Sequence, residues 1–255
     1  MDKIFAIAKN TFIEGIRANT LYIIFAYGLM ILFGLTALTP LALGEQGRIL
    51  KDIGLAGIEV MGILLAIIIG TTLVYKEIER RTIYVLAAKP MTRAEFLAGK
   101  YLGMEMLSAA IVLIMTAIYY IGLIIMRQTS ISIILIPIWL IFIKISIINS
   151  LALFFSSLAS PVLGAVFTFC LYLAGSLSRD ILELAQRLNL MSVAWMMKII
   201  YYLLPNLGNL DAKNRIIFDQ QVVWPQVWWG LSYSLAYILA VMTITLMTFE
   251  KKDFK

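Results

Sequence analysis

The sequence predicts an all-α integral membrane protein, and its composition and the spacing of its apolar residues both indicate this class. Hydrophobic residues make up 62% of the 255 residues and charged residues only 14%, whereas soluble domains average about 45–50% apolar and about 25% charged residues. Mean hydropathy is +0.92. The apolar residues are also gathered in runs of about 20, the length that a helix needs to cross a bilayer core. Soluble enzymes and nucleic-acid-binding domains are therefore excluded.

Six apolar runs are long enough to span a membrane, and we treat the whole chain as one transmembrane domain. The predicted spans are 21–43, 53–75, 101–126, 131–158, 161–178 and 227–249. Residues 1–20 form a predicted amphipathic helix with Phe5, Ala8, Phe12 and Ile16 on one face. Such a helix can lie in the membrane plane and lead the chain into the first span.

The distribution of positive charge predicts the orientation. Most of the 21 Lys and Arg residues fall in segments that lie inside if both termini are cytoplasmic, as the positive-inside rule requires. Lys51 then belongs to a short outer loop, and residues 179–222 form a long external segment. Within that segment, residues 179–190 are predicted to form a surface helix. Residues 191–204 are apolar but too short to span easily, so they are either interfacial or re-entrant.

Residues 76–100, between the second and third spans, are predicted to form a rigid cytoplasmic elbow. Pro90 should end a first helix, because proline lacks an amide donor and disfavours helical geometry at Lys89. Thr92 and Glu95 have the spacing of a capping box, which would begin a second helix. The elbow should therefore be a helix, a sharp break and another helix.

The elbow also carries a short apolar stripe, Ile83, Leu86 and Ala87, between two charged clusters. An apolar centre with a charged rim is the usual anatomy of a protein interface, so we expect this surface to dock a partner. An ordinary positively charged loop with a helix cap is the alternative. The candidate docking residues are Glu77, Glu79, Arg80, Arg81, Thr82, Ile83, Leu86, Lys89, Pro90, Thr92, Arg93, Glu95, Gly99 and Lys100.

Two charged residues fall deep inside predicted spans. Glu59 and Lys144 lie at matching depths, about 21–24 Å from the inner ends of their helices, and an unpaired charge there costs about 2.5–3.5 kcal/mol. We predict that they form an ion pair or line a cavity together. In the alternative, Glu59 reaches outward and Lys144 lies in a polar seam with Ser146, Asn149 and Ser150.

The residues that the sequence lacks limit the chemistry of the chain. It contains no His and a single Cys, so we predict no catalytic residue and no metal site. Gly99 and Lys100 do not complete a phosphate-binding loop, because Ala94 stands where the first Gly should be and Tyr101 where Ser or Thr should be. Any ATP must be bound by another chain.

The run EIERRTIYVLAAKPMTRAEFLAGK, residues 77–100, resembles the cytoplasmic signature of ABC transporter type-2 permeases. It is most similar to the branch annotated with multi-copper enzyme maturation, which includes the permease of the nitrous oxide reductase maturation system. Residues 201–207 and 249–254 also resemble that branch.

This resemblance implies a permease subunit, an exporter in the plasma membrane of a bacterium or archaeon. It implies that the subunit dimerises with a second copy or a related subunit, and that a separate ABC-type ATPase, which binds ATP and Mg²⁺, docks on each elbow. The alternatives are an ion-coupled carrier, which should contain inverted repeats, and an intramembrane enzyme. Such an enzyme would need His or clustered carboxylates at one depth.

Overall fold

The structure, a computed structural model, describes residues 2–17, 20–34, 46–79, 92–125, 134–187, 204–211 and 224–251. These ranges contain seven α-helices and one short 3-10 helix, and no strand occurs within them. The helices are α1 (Asp2–Arg17), α2 (Thr20–Phe33), α3 (Gln46–Glu79), α4 (Arg93–Ile125), α5 (Leu135–Leu158), α6 (Pro161–Arg187) and α7 (Trp224–Lys251), and the 3-10 helix is Leu207–Leu210. The predicted all-α class is confirmed for the described part of the chain.

Five helical stretches among the described residues are long and apolar enough to cross a membrane. They are Arg48–Thr72, Arg93–Ile125, Leu135–Leu158, Pro161–Ser178 and Val227–Phe249. A sixth span would require α1 and α2 together, and these two helices are bent by 57° at their junction. The predicted first span, 21–43, is described only to residue 34. The six-span count therefore stays a prediction.

The helices from α2 to α7 alternate in direction. The start of α4 meets the end of α7, where the rings of Phe96 and Phe249 stack with centroids 6.1 Å apart. We call the side with the beginning of α1 and the end of α7 the terminal side. The end of α3 lies there too, since Gly70 packs against Met104 of α4 and Ala152 of α5.

Two helices extend further than the apolar runs predicted. Helix α3 begins at Gln46, so Lys51 lies inside it and is buried, not in an outer loop. The hydroxyl of Tyr119 donates to the carbonyl oxygen of Lys51 at 3.5 Å. Helix α6 continues to Arg187, so residues 179–187 extend the fifth span and do not form a separate surface helix. Neither Gly nor Pro occurs between Ser176 and Arg187 to end it.

Helix α1 packs along α4, through a face that matches the predicted apolar stripe only in part. A methyl group on Gly99 would lie 2.8 Å from Cβ of Ile7, and one on Gly103 would lie 2.6 Å from Cβ of Thr11. Residue numbers rise together along both helices, so α1 and α4 are parallel. Of the predicted apolar stripe, Ala8 is buried and Phe12 packs against the main core, whereas Phe5 and Ile16 are exposed. The close approach of the two helices favours small residues at the contact.

Helix α5 is the centre of the bundle and contacts α3, α4, α6 and α7. Its buried face includes Ile141, Ile145 and Ile148, which belong to the main apolar core. A second, smaller core lies on the terminal side and joins α4, α5 and α7 through Phe96, Leu153 and Phe249 among others. The bundle therefore has one core through its middle and another beneath the predicted elbow.

Candidate functional site

Glu59 of α3 and Lys144 of α5 meet inside the bundle. The ammonium Nζ of Lys144 donates a hydrogen bond to Oε1 of Glu59 at 2.9 Å, and the side chains of Lys144 and Glu59 are only 3% and 5% exposed. A buried charge is tolerated when an opposite charge and a hydrogen bond compensate it. The structure thus brings together the two residues that are predicted to pair from their matching depths.

A third charged residue, Asp211, approaches the same ammonium. Its Oδ2 lies 4.0 Å from Nζ of Lys144, and its side chain is 36% exposed. Asp211 directly follows the 3-10 helix, at the end of the described residues 204–211, which we call the 204–211 segment. Asp211 is not among the residues that the sequence predicts for a site, because it lies in a long segment whose position between the helices no periodicity predicts.

Glu105 of α4 is the centre of a second polar group. Its carboxylate accepts hydrogen bonds from Oγ of Ser146 at 2.6 Å and from Nδ2 of Asn149 at 2.9 Å. The same Asn149 amide also donates to Oγ of Ser108 at 3.0 Å. Ser146 and Asn149 therefore bind Glu105 and do not form a seam around Lys144. On a helix with 3.6 residues per turn they lie on the opposite face from Lys144, a signal that was present in the sequence.

The beginning of α4 is capped as its spacing predicts. The backbone N–H of Thr92 donates to Oε2 of Glu95 at 2.9 Å, and the backbone N–H of Glu95 donates to Oγ1 of Thr92 at 3.2 Å. Helix α4 has 33 residues and is about 50 Å long, so its first turns extend beyond a core of about 30 Å. The hydrogen bond from the Thr92 backbone lowers the pKa of the Glu95 carboxyl below its ordinary value.

Most of the predicted elbow surface lies outside the described residues. Glu77 and Glu79 lie in the last turns of α3. The apolar stripe and its neighbours, Arg80, Arg81, Thr82, Ile83, Leu86, Lys89 and Pro90, fall in the range 80–91, which the structure does not describe.

Gly99 and Lys100 were predicted to belong to the docking surface, but the structure places them inside the bundle. Both are buried, and Lys100 is only 1% exposed. Gly99 faces α1, and Nζ of Lys100 lies 6.0 Å from the ring centroid of Phe96. The apolar neighbours make these two residues part of the packing beneath the elbow.

Arg93 connects the predicted elbow to the end of the chain. Its Nη1 donates to the carbonyl oxygen of Phe249 at 2.6 Å, next to the stacked rings of Phe96 and Phe249. The first two turns of α4 are thus fixed to α7 on one side and to α1 on the other. A movement of α4 at this point would be passed to both helices.

Within the part of the chain that the structure describes, no three Cys, Asp or Glu side chains are grouped so that they could hold a metal ion. The family model described as "ABC-2 family transporter protein" matches residues 3–254. No curated protein matches the chain.

Proposed function

The chain belongs to the ABC-2 transporter family, and from this premise we propose that it is the permease subunit of an ATP-driven exporter that works with separate ATPase subunits. The family match, which covers nearly the whole chain, is the observation that carries the proposal. The chain itself is a multi-pass membrane subunit. The ATP and Mg²⁺ that drive it would be bound by the partner.

We propose six spans with both termini in the cytoplasm of a bacterial or archaeal cell. The five candidate spans and the bent pair formed by α1 and α2 support the number six. The alternating helix directions and the excess of Lys and Arg on the terminal side support the orientation. Trp224, Trp228 and Trp229 are exposed at the opposite end of α7, where an aromatic belt would meet the outer membrane interface.

The ATPase would dock on the elbow, between the end of α3 and the beginning of α4. Helices α3 and α4 have 34 and 33 residues and are each about 50 Å long, which leaves about 20 Å of each beyond the bilayer core. The elbow would be held rigidly at the beginning of α4. The contacts that hold it are the capping box, the Arg93–Phe249 hydrogen bond and the second core. A push on the elbow would therefore move helices instead of deforming a loop.

The family branch, the partner copy and the cargo are further parts of the proposal. The resemblance of residues 77–100, 201–207 and 249–254 supports the multi-copper enzyme maturation branch. In a dimer, a second copy or a related subunit would cover part of the exposed apolar surface. Copper or sulfur species, lipids, peptides and drugs are all cargo classes compatible with this reading.

Co-purification from native membranes tests the proposal. We expect the tagged chain to bring down an ABC-type ATPase whose ATP hydrolysis rises when the correct cargo is added. A chain that purifies from gentle detergent without any ATPase, yet still transports when an ion gradient is imposed, would be an ion-coupled carrier. A chain that instead cleaves or modifies a membrane substrate would be an intramembrane enzyme.

A further inference from the structure

The 204–211 segment is inserted between α5, α6 and α7. The carbonyl oxygen of Pro205 lies directly over Gly175 of α6, where any larger side chain would clash with it. The backbone N–H of Asn206 donates to the hydroxyl of Tyr233 in α7 at 2.9 Å. Leu207 is fully buried. These contacts seat the segment in the bundle on the side opposite the terminal side.

The end of the segment carries a negative charge to the buried ammonium of Lys144. Lys144 has three N–H donors, and it makes a close contact with Glu59 at 2.9 Å and a longer one with Asp211 at 4.0 Å. Lys144 therefore connects three parts of the molecule, which are α3, α5 and the 204–211 segment.

The two contacts of Lys144 differ in how easily they can be broken. Glu59 is almost completely buried, and so is Lys144. Separating them would cost much free energy, because water cannot solvate the separated charges. The side chain of Asp211 is 36% exposed, and water can solvate its carboxylate when it moves away. A partly exposed pair contributes little free energy. The Asp211 contact should therefore open first, while Glu59 continues to neutralise the ammonium.

We propose that Asp211 and Lys144 form a latch that holds the 204–211 segment in the bundle, and that release of this latch opens the interior from that side. Glu59 keeps Lys144 charged and in place while the latch is open. If the chain is an exporter, as proposed above, this opening would release the cargo, and only that step rests on the proposed function. The latch itself is a property of this chain alone. Asp211 is a positioning residue, since it acts through the segment that it holds.

The latch can be tested on the purified full-length chain in lipid nanodiscs, where both membrane faces are accessible and no ATPase is needed. The reporter is Leu207→Cys in a Cys170→Ala background, and the measurement is its rate of reaction with a charged thiol reagent. We expect Asp211→Asn to raise this rate at least about fivefold, which corresponds to about 1 kcal/mol. Asp211→Glu should restore the slow rate, because it keeps the carboxylate.

Two further variants separate the latch from a general loosening of the protein. Asp52→Asn removes an exposed carboxylate near the beginning of α3, away from Lys144 in sequence. This variant should leave the labelling rate unchanged. Glu59→Gln should lower thermal stability without raising the rate, because Asp211 then becomes the remaining carboxylate near Lys144. If the Leu207→Cys chain does not fold, hydrogen exchange of the 204–211 amides gives the same comparison without a reporter.

An unchanged rate in Asp211→Asn would overturn the latch, as would an equal increase in Asp52→Asn. Neither result would touch the proposed function, which depends on ATPase co-purification from native membranes. Conversely, a chain that binds no ATPase could still show the latch in nanodiscs. The two proposals therefore fail in different experiments.

Discussion

The guanidinium of Arg93 donates a hydrogen bond to the carbonyl oxygen of Phe249 at 2.6 Å, which joins the first residue of α4 to the end of α7 across 156 positions of the chain. The carbonyl belongs to the last turns of α7, where such groups have no partner in their own helix. Arg93 therefore acts as a cap for α7 and as a fastening for the elbow.

Replacing Arg93 with Ala should uncouple the elbow from α7. We expect the ATPase still to co-purify, while transport per ATP hydrolysed falls. The free energy of unfolding should decrease by about 1 kcal/mol, the typical net contribution of one hydrogen bond. Reconstituted vesicles give both rates. Lys9→Ala, which removes an exposed positive charge from α1, is the matched control. Normal coupling in Arg93→Ala would contradict this role.

Replacing Leu86 with Asp should abolish ATPase co-purification while membrane insertion stays normal, because the residue lies in the predicted cytoplasmic elbow and forms the centre of its apolar stripe. A tagged pull-down measures the first and alkaline extraction of membranes the second. Asn10→Asp introduces the same charge at an exposed position of α1 and should bind the ATPase normally. Wild-type binding by Leu86→Asp would require another docking surface.

Cysteines at Lys255 and Asn209 should label from opposite sides of the membrane in a Cys170→Ala background. The expectation follows from six spans with both termini inside, which place residues 179–222 outside. An impermeant thiol reagent applied to intact cells and to inverted vesicles distinguishes the two sides. Labelling of both positions from one side would mean that residues 191–204 cross the membrane.

Loss of charge at Glu59 or Lys144 alone should destabilise the protein by about 3–5 kcal/mol, as expected when one partner of a buried pair is removed. The exchange Glu59→Lys with Lys144→Glu should restore only part of this stability. The exchanged pair places a carboxylate at position 144 next to Asp211, which repels it. Adding Asp211→Lys should then restore more. Denaturation of the purified chain gives the comparison, and an exchange no better than the worse single variant would exclude coupling.

The contact between α1 and α4 should depend on the glycines of α4 that face α1, where a side chain would not fit. Gly103→Ala would bring a methyl group within 2.6 Å of Thr11 Cβ and 2.7 Å of the Ala8 carbonyl oxygen, so we expect a loss of about 1–3 kcal/mol from overpacking. Gly28→Ala is the control, because a Cβ there meets nothing within 4 Å. Equal thermal midpoints for the two variants would mean that α1 does not pack as described.

The features that the sequence could predict are those set by local chemistry or by depth in the membrane. Thr92 and Glu95 form their capping box within four residues of chain, and Glu59 and Lys144 were paired because few charges can lie that deep. The close approach of α1 to Gly99 and Gly103 could also have been recognised, since two glycines four residues apart often mark a tight helix contact in membranes.

The remaining features depend on which helix faces which neighbour. Glu105 of α4 is one example, because Ser146 and Asn149 of α5 hydrogen-bond its carboxylate. No count along a single helix reveals that α5 turns this face towards α4. The contacts of Asp211 with Lys144 and of Phe249 with Arg93 were also not predicted, because the two residues of each contact are far apart in the sequence.

The buried polar residues of α5 have a consequence for how the protein enters the membrane during synthesis. Lys144 and Asn149 make this helix costly to release into lipid by itself, since polar groups in hydrocarbon need partners. The two carboxylates that hydrogen-bond these side chains, Glu59 and Glu105, are made earlier in the chain. The order of translation therefore places α3 and α4 in the membrane before α5 emerges. The charge and the amide of α5 can then pair at once with carboxylates that are already in the membrane.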